Sequence, residues 1–171
     1  NALNALAACA VAWKFGISGE TAAAALAEFH GAGRRLEYKG SFHGADVYDD
    51  YAHHPNELHA LLQAVRLMHY RRVICAFQPH TYSRTKALFQ SFVDELRTAD
   101  QVVLADIYAA REQNTVGVSS QELAAEIPGA VYCPSLQGVT AYLRENAQPG
   151  DIILTVGAGD IYKAGEALFT E

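Results

Sequence analysis

The sequence predicts an α/β fold: a mostly parallel sheet with helices on both faces, preceded by a helical hairpin. Short apolar runs bounded by charge, Gly or Pro, such as RRVICAF and DIILTV, read as buried strands. Amphipathic stretches of helical length separate them, as right-handed crossovers between parallel strands require. Ahead of this alternation lies an alanine-rich segment of a different character.

That first segment has helical spacing from Ala2 to Phe15, with Gly16 as a stop. Ser18 then caps a second helix, ETAAAALAEF, which ends at Gly31. Past the GAG punctuation the period changes from helical to alternating, so we place a boundary near Gly33, giving segments 1–32 and 33–171. LEYKGSF and ADVYDD, joined at His43 and Gly44, read as two short strands. Pro55 opens a helix over NELHALLQAVRLMHY, at a position where its missing N–H costs nothing. Strand RRVICAF, helix TKALFQSFVDELR, strand QVVLAD, helix SSQELAAEI, strand AVYC, helix LQGVTAYLREN and strand DIILTV follow, and a last helix comes after GAGD, with Asp160 expected as its N-cap.

Composition narrows the function classes. Of 171 residues, 50% are hydrophobic and 19% charged, a globular profile. The net charge of −6 argues against a broad nucleic-acid surface, so any anion site is local. Apolar runs such as ALNALAACAVAW are too short to span a membrane, and no export signal is legible, so the expected location is cytoplasmic. Cys9, Cys75 and Cys133 lack CxxC spacing and sit in apolar runs, which suits reduced core thiols. The GRR and HYRR clusters, at 33–35 and 69–72, read as solvated element ends.

In open parallel sheets, ligands bind beyond the carboxyl ends of the strands. Those ends here carry DDYAHHP, QPHTYSR, DIYAAREQN and GAGD. Asp49 and Asp50 fit either a turn cap or a site; Arg84 fits either a surface ion pair or an anion clamp in the first turn of a helix. His53, His54, His80 and Asp106 share the same predicted edge. Carboxylate, guanidinium and imidazole together suit a zwitterionic or phosphorylated substrate. A metal site is disfavoured, because His53 and His54 are adjacent and in an extended segment point opposite ways. GAGD lacks the spacing of either glycine-rich phosphate motif and reads as a strand-to-helix turn. The tyrosines at 48, 51, 82, 108 and 162 are explained by packing around the rim, with Tyr51 the best candidate for more.

DDYAHHP, FQPHTYSRT, the GRR segment, the run from Ala99 to Glu112 and VGAGDI, in this order, resemble the C-terminal part of the Mur ligases over essentially the whole chain. FQPHTYSRT and GAGD set it with the members that add L-alanine, apart from the tripeptide-recycling relative and those that add later amino acids. The resemblance implies a Rossmann-like domain over 33–171 and the trailing helices of the central ATPase domain over 1–32. It implies an amide ligase of peptidoglycan synthesis that uses ATP and Mg2+ to turn the carboxylate of UDP-N-acetylmuramate into an acyl phosphate, which the amine of L-alanine attacks. By motif position, Asn1 and Asn4 are carried over to adenine, Arg35 to the ATP phosphates as the catalytic residue, and Asp50 to the ribose. Tyr51, His53, His80 and Arg84 are carried over to L-alanine; His54, pointing the other way from His53, is expected to be structural. Thr81 stands where the family often has a second arginine.

No GxxxxGK[ST] occurs, so the P-loop, the main Mg2+ ligands and the N-terminal and central domains are expected outside this chain, and the chain alone is expected to be inactive. Two other readings stand beside this one: a metal-dependent phosphoesterase using Asp49, Asp50, His53 and His80, and a regulatory amino-acid-binding module.

Overall fold

A computed structural model describes residues 2–29 and 31–170. The chain divides between Gly33 and Arg34 into two compact units. The first holds α1 (Ala2–Lys14) and α2 (Gly19–Ala27), with the Ser18 hydroxyl accepting from the Thr21 amide as the cap. Leu3, Trp13 and Phe15 in this unit are largely exposed. Among the described residues no helix is long and apolar enough to cross a membrane.

The second unit is built on a six-stranded sheet of order β1-β2-β6-β3-β4-β5. Its strands are β1 (Glu37–Phe42), β2 (Ala45–Asp50), β3 (Arg72–Phe77), β4 (Gln101–Leu104), β5 (Val131–Tyr132) and β6 (Asp151–Val156). Only the β1–β2 hairpin is antiparallel; every other pair is parallel. Central β6 is buried at all six positions, as a parallel strand covered on both faces must be.

One face packs against α3 (Pro55–Arg66), α5 (Phe89–Leu96) and α6 (Ser120–Ala125). Leu58, Leu61, Leu62 and Val65 supply the α3 stripe at helical spacing, and Phe92 of α5 meets Phe77 of β3 with ring centroids 5.5 Å apart. The other face takes α7 (Leu136–Asn146), α8 (Tyr162–Glu166) and the 3-10 turn Ala167–Phe169 after it, through Val139, Leu143, Ala164 and Leu168. Each such side chain contributes about 1.5–3 kcal/mol by leaving water. Cys75 and Cys133 lie in these cores as free thiols, and burial pushes Cys75 up to about 12.

Two expectations need correction. The helix expected over TKALFQSFVDELR is two helices, α4 (Tyr82–Ala87) and α5, broken at Leu88, whose φ and ψ of −113° and 19° leave the helical region. Neither Gly nor Pro marks the break; Leu88 and Phe89 turn onto the core there. Asp160 is not a side-chain cap: α8 begins after Ile161 with no such bond, and the Asp160 carboxylate accepts from Gln78 instead.

Candidate functional site

Parallel pairing places the carboxyl ends of β2, β3, β4 and β6 on one edge, and two groups of side chains gather there. The first surrounds Arg34. Its Nε donates to Asp49 Oδ2 at 2.7 Å, and its two terminal nitrogens donate to the carbonyls of Gly159 at 3.1 Å and Gly157 at 2.7 Å. The other Asp49 oxygen accepts from the Thr155 hydroxyl at 2.8 Å, and Asp49 is 1% exposed. Gln78 closes the edge, donating to Asp160 and accepting from the Ile161 amide. GAGD therefore turns carbonyls toward a cation, the opposite polarity from a phosphate cradle. Its glycines are required by close approach: a Cβ on Gly157 would stand 2.7 Å from the Gln78 carbonyl, and one on Gly159 2.7 Å from the Tyr108 ring.

Asp50 is held by the backbone, accepting from Leu36 N–H at 2.7 Å and Ala52 N–H at 2.8 Å. Burial raises its pKa, against the pull of these amides and of nearby Arg35. Arg35 itself is exposed and enters none of the described ion pairs. Each Asp50 oxygen keeps a lone pair free to accept a further hydrogen bond, and the exposed Arg35 stands near it as a cation. Metal is a different matter. Asp49 is bound by Arg34 and Thr155, and among the described residues no cluster of three His, Cys, Asp or Glu is placed to hold an ion. A protein-held metal centre of the kind the phosphoesterase reading needs is therefore not found among the described residues, and that reading has no support.

The second group is aromatic. The Tyr51 and His53 rings meet edge to face at 5.4 Å, His53 and His80 at 5.9 Å, and His80 stacks on Tyr108 at 5.7 Å. His54 faces elsewhere: its Nδ1 accepts from the Asn56 amide, and Glu57 reaches back to the His54 amide, capping α3. Thr81 N–H donates to the Tyr108 carbonyl, and the Thr81 carbonyl accepts from Thr85. Between these bonds Thr81 is held at φ 66° and ψ 143°, a strained conformation for a β-branched residue. Glu112 takes the capping role that Thr81 does not, accepting from the Ser83 amide and hydroxyl at the start of α4. That hydroxyl bond first, and the amide bond second, lower its pKa.

Here two polar atoms lack partners. His80 Nδ1 and Arg84 Nη1 are buried without a hydrogen bond. Burial first, then the Arg84 and His53 charges, lower the His80 pKa, so the ring is neutral at pH 7. Among the candidates, the edge thus gathers Asp50, Tyr51, His53, His80 and Arg84, with Arg35 beside Asp50. Asn4 is exposed on α1 in the other unit, and Asn1 lies outside the described residues. Asp106 is engaged by the Tyr132 hydroxyl, which raises that phenol to about 12. Sequence reasoning assigns no role to Arg34 or Gln78, although GRR and QPHTYSR carry them, and gives Tyr108 only as packing around the rim.

Comparison with known proteins places the chain among relatives. The family model described as "Mur ligase, glutamate ligase domain" matches residues 34–159. The UDP-N-acetylmuramate–L-alanine ligase of Caldanaerobacter subterraneus subsp. tengcongensis is 45% identical over 175 residues, covering 100% of this chain and 38% of that protein. The enzyme of the same name from Lachnospira eligens is 48% identical over 172 residues, covering 98% of this chain and 38% of its own length. The crystal structure of the Thermotoga maritima UDP-N-acetylmuramate-alanine ligase superposes with a TM-score of 0.78 at 27% identity, over 98% of this chain and 36% of that one. The chain thus spans little more than a third of the relatives it matches.

Proposed function

The chain belongs to the Mur ligase family, and from that premise we propose that it is the C-terminal part of an ATP-dependent ligase that joins L-alanine to UDP-N-acetylmuramate in peptidoglycan synthesis, with the rim of its second unit receiving the amino acid. The names of the relatives support the substrates. The observation that carries the site is the pair of unpartnered buried nitrogens, His80 Nδ1 and Arg84 Nη1. A buried donor without a partner costs about 1–3 kcal/mol, and a bound carboxylate removes that cost. In this reading Arg84 grips the carboxylate of L-alanine, and Tyr51, His53 and His80 line its path. Arg84 fixes one end of the amino acid, which leaves its amine to be aimed at the acyl carbon.

On the adjoining side Asp50 meets the ribose and Arg35 the phosphates. ATP would supply the phosphoryl group that turns the muramoyl carboxylate into an acyl phosphate, with ADP as the leaving group. The P-loop, the Mg2+ ligands and the sugar site belong to the remaining length of the whole enzyme, and its dependence on ATP and a UDP-sugar places it in the cytoplasm. The test is phosphate release by the full-length enzyme bearing this chain: release that requires both UDP-N-acetylmuramate and L-alanine supports the reading. Release without amino acid, or binding of alanine with no turnover, refutes it and leaves a binding module.

A further inference from the structure

Tyr51 poses a problem of positioning. Its side chain is 43% exposed, so core packing does not fix its rotamer, yet it heads the aromatic row that leads through His53 to His80. Among the described residues the cation packed on its face is Arg34, whose guanidinium carbon lies 5.0 Å from the Tyr51 ring centroid and 4.7 Å from that of Tyr162. The Arg34 carbonyl also accepts the Tyr51 N–H at 2.8 Å. Backbone and ring of Tyr51 are therefore both set from a single residue.

Arg34 is itself fixed at several points. Three guanidinium nitrogens are committed to Asp49, Gly157 and Gly159, and its own N–H donates to Glu37 at 2.7 Å. Two residues on, the Leu36 N–H holds Asp50. The backbone of this segment is left-handed at both Arg34, with φ 57°, and Leu36, with φ 45°. With Arg34 fastened inward, its neighbour Arg35 remains exposed.

The geometry points to Arg34 as a positioning residue for the amino-acid site: a planar cation, clamped by Asp49 and the GAGD carbonyls, that holds the exposed Tyr51 ring in its working orientation. The inference rests on the amino-acid reading of Tyr51 given above. It deepens that reading by assigning a role to the first arginine of GRR, whose guanidinium nitrogens all bond within the protein. The chemistry demands arginine, since an ammonium has one nitrogen where three directed donors are used, and it has no plane to lay against two rings.

Two measurements test this separately. In the full-length enzyme, Arg34→Lys is expected to raise the KM for L-alanine by about 10-fold or more while the KM for ATP moves less than about threefold. In this chain, with tyrosines labelled for NMR, the same substitution is expected to shift the Tyr51 and Tyr162 ring signals and speed Tyr51 rotamer averaging, while methyl signals of Ile153 and Leu154 in β6 stay in place. If Arg34→Lys fails to fold, Tyr162→Leu, which removes one of the two rings packed on the guanidinium and leaves the Asp49 pair, is measured in the same two ways with the same expectation. An unmoved Tyr51 ring in a folded variant overturns the inference, as does an equal rise in both KM values. A wild-type enzyme that ignores L-alanine while the Tyr51 ring still responds to Arg34→Lys overturns the amino-acid reading and leaves the mechanical link standing.

Discussion

The two halves of the same edge differ in how completely their polar groups are satisfied. Around Arg34, guanidinium, carboxylate, hydroxyl and GAGD carbonyls pair with one another. Around His80, a ring nitrogen and a guanidinium nitrogen are buried with nothing to bond, next to a strained Thr81. Both halves look alike in sequence, each with an arginine near a strand end and aromatic neighbours. The difference teaches that residue type alone does not mark a candidate site: at this edge it is the half around His80 that keeps unspent hydrogen-bonding capacity. A closed network fixes geometry, and an open one waits for a partner.

Asp49→Ala should have the largest effect, because it strands a half-buried guanidinium and takes an acceptor from Thr155. A loss of about 3 kcal/mol is expected, the low end for breaking a buried pair since Arg34 is partly solvated. Denaturant melts measure it, and a loss under about 1 kcal/mol would show that the network is as weak as a surface pair. Gly159→Ala follows at about 2–3 kcal/mol. The Gln78 side chain can swing away from the new methyl, but the Tyr108 Cγ, 2.7 Å away, is the root of a packed ring.

Thr81→Gly should move the other way. It relieves a backbone strain of about 1–3 kcal/mol and costs part of that in chain entropy, leaving a net gain of about 1 kcal/mol. A destabilised variant would mean that the Thr81 side chain contributes more than its backbone strain costs.

The smallest effect is a pH dependence. Because the folded His80 pKa lies below the usual imidazole value of about 6.5, the unfolded chain binds the proton more tightly. Its contribution to stability is therefore present above about pH 6.5 and is lost as pH falls through the folded value. Arg84→Gln removes a cation and should raise the His80 midpoint followed by NMR; an unchanged midpoint would separate the two residues.

Much of this edge was legible in the sequence, because strand-end position and residue type follow from the period of the apolar runs. DDYAHHP is a strand exit whose adjacent histidines point apart, as extended chain requires, with His53 beside His80 and His54 at the start of α3. The role of Arg34 was not legible. Which of two consecutive arginines turns inward depends on left-handed backbone at Arg34 and Leu36, and no glycine marks either position. The glycines of GAGD announced a turn, but their reason lies in Gln78 and Tyr108, distant in sequence. The Leu88 break was equally hidden, being decided by where the core lies.

The account stands most directly on Arg84. Substituting Arg84→Lys in the full-length enzyme keeps the charge and loses the planar fork, so the KM for L-alanine should rise about 10- to 150-fold, the equivalent of about 1.5–3 kcal/mol, with a much smaller change for ATP. Equal changes for the two substrates, or none, would contradict the assignment of the open half of the edge to the amino acid.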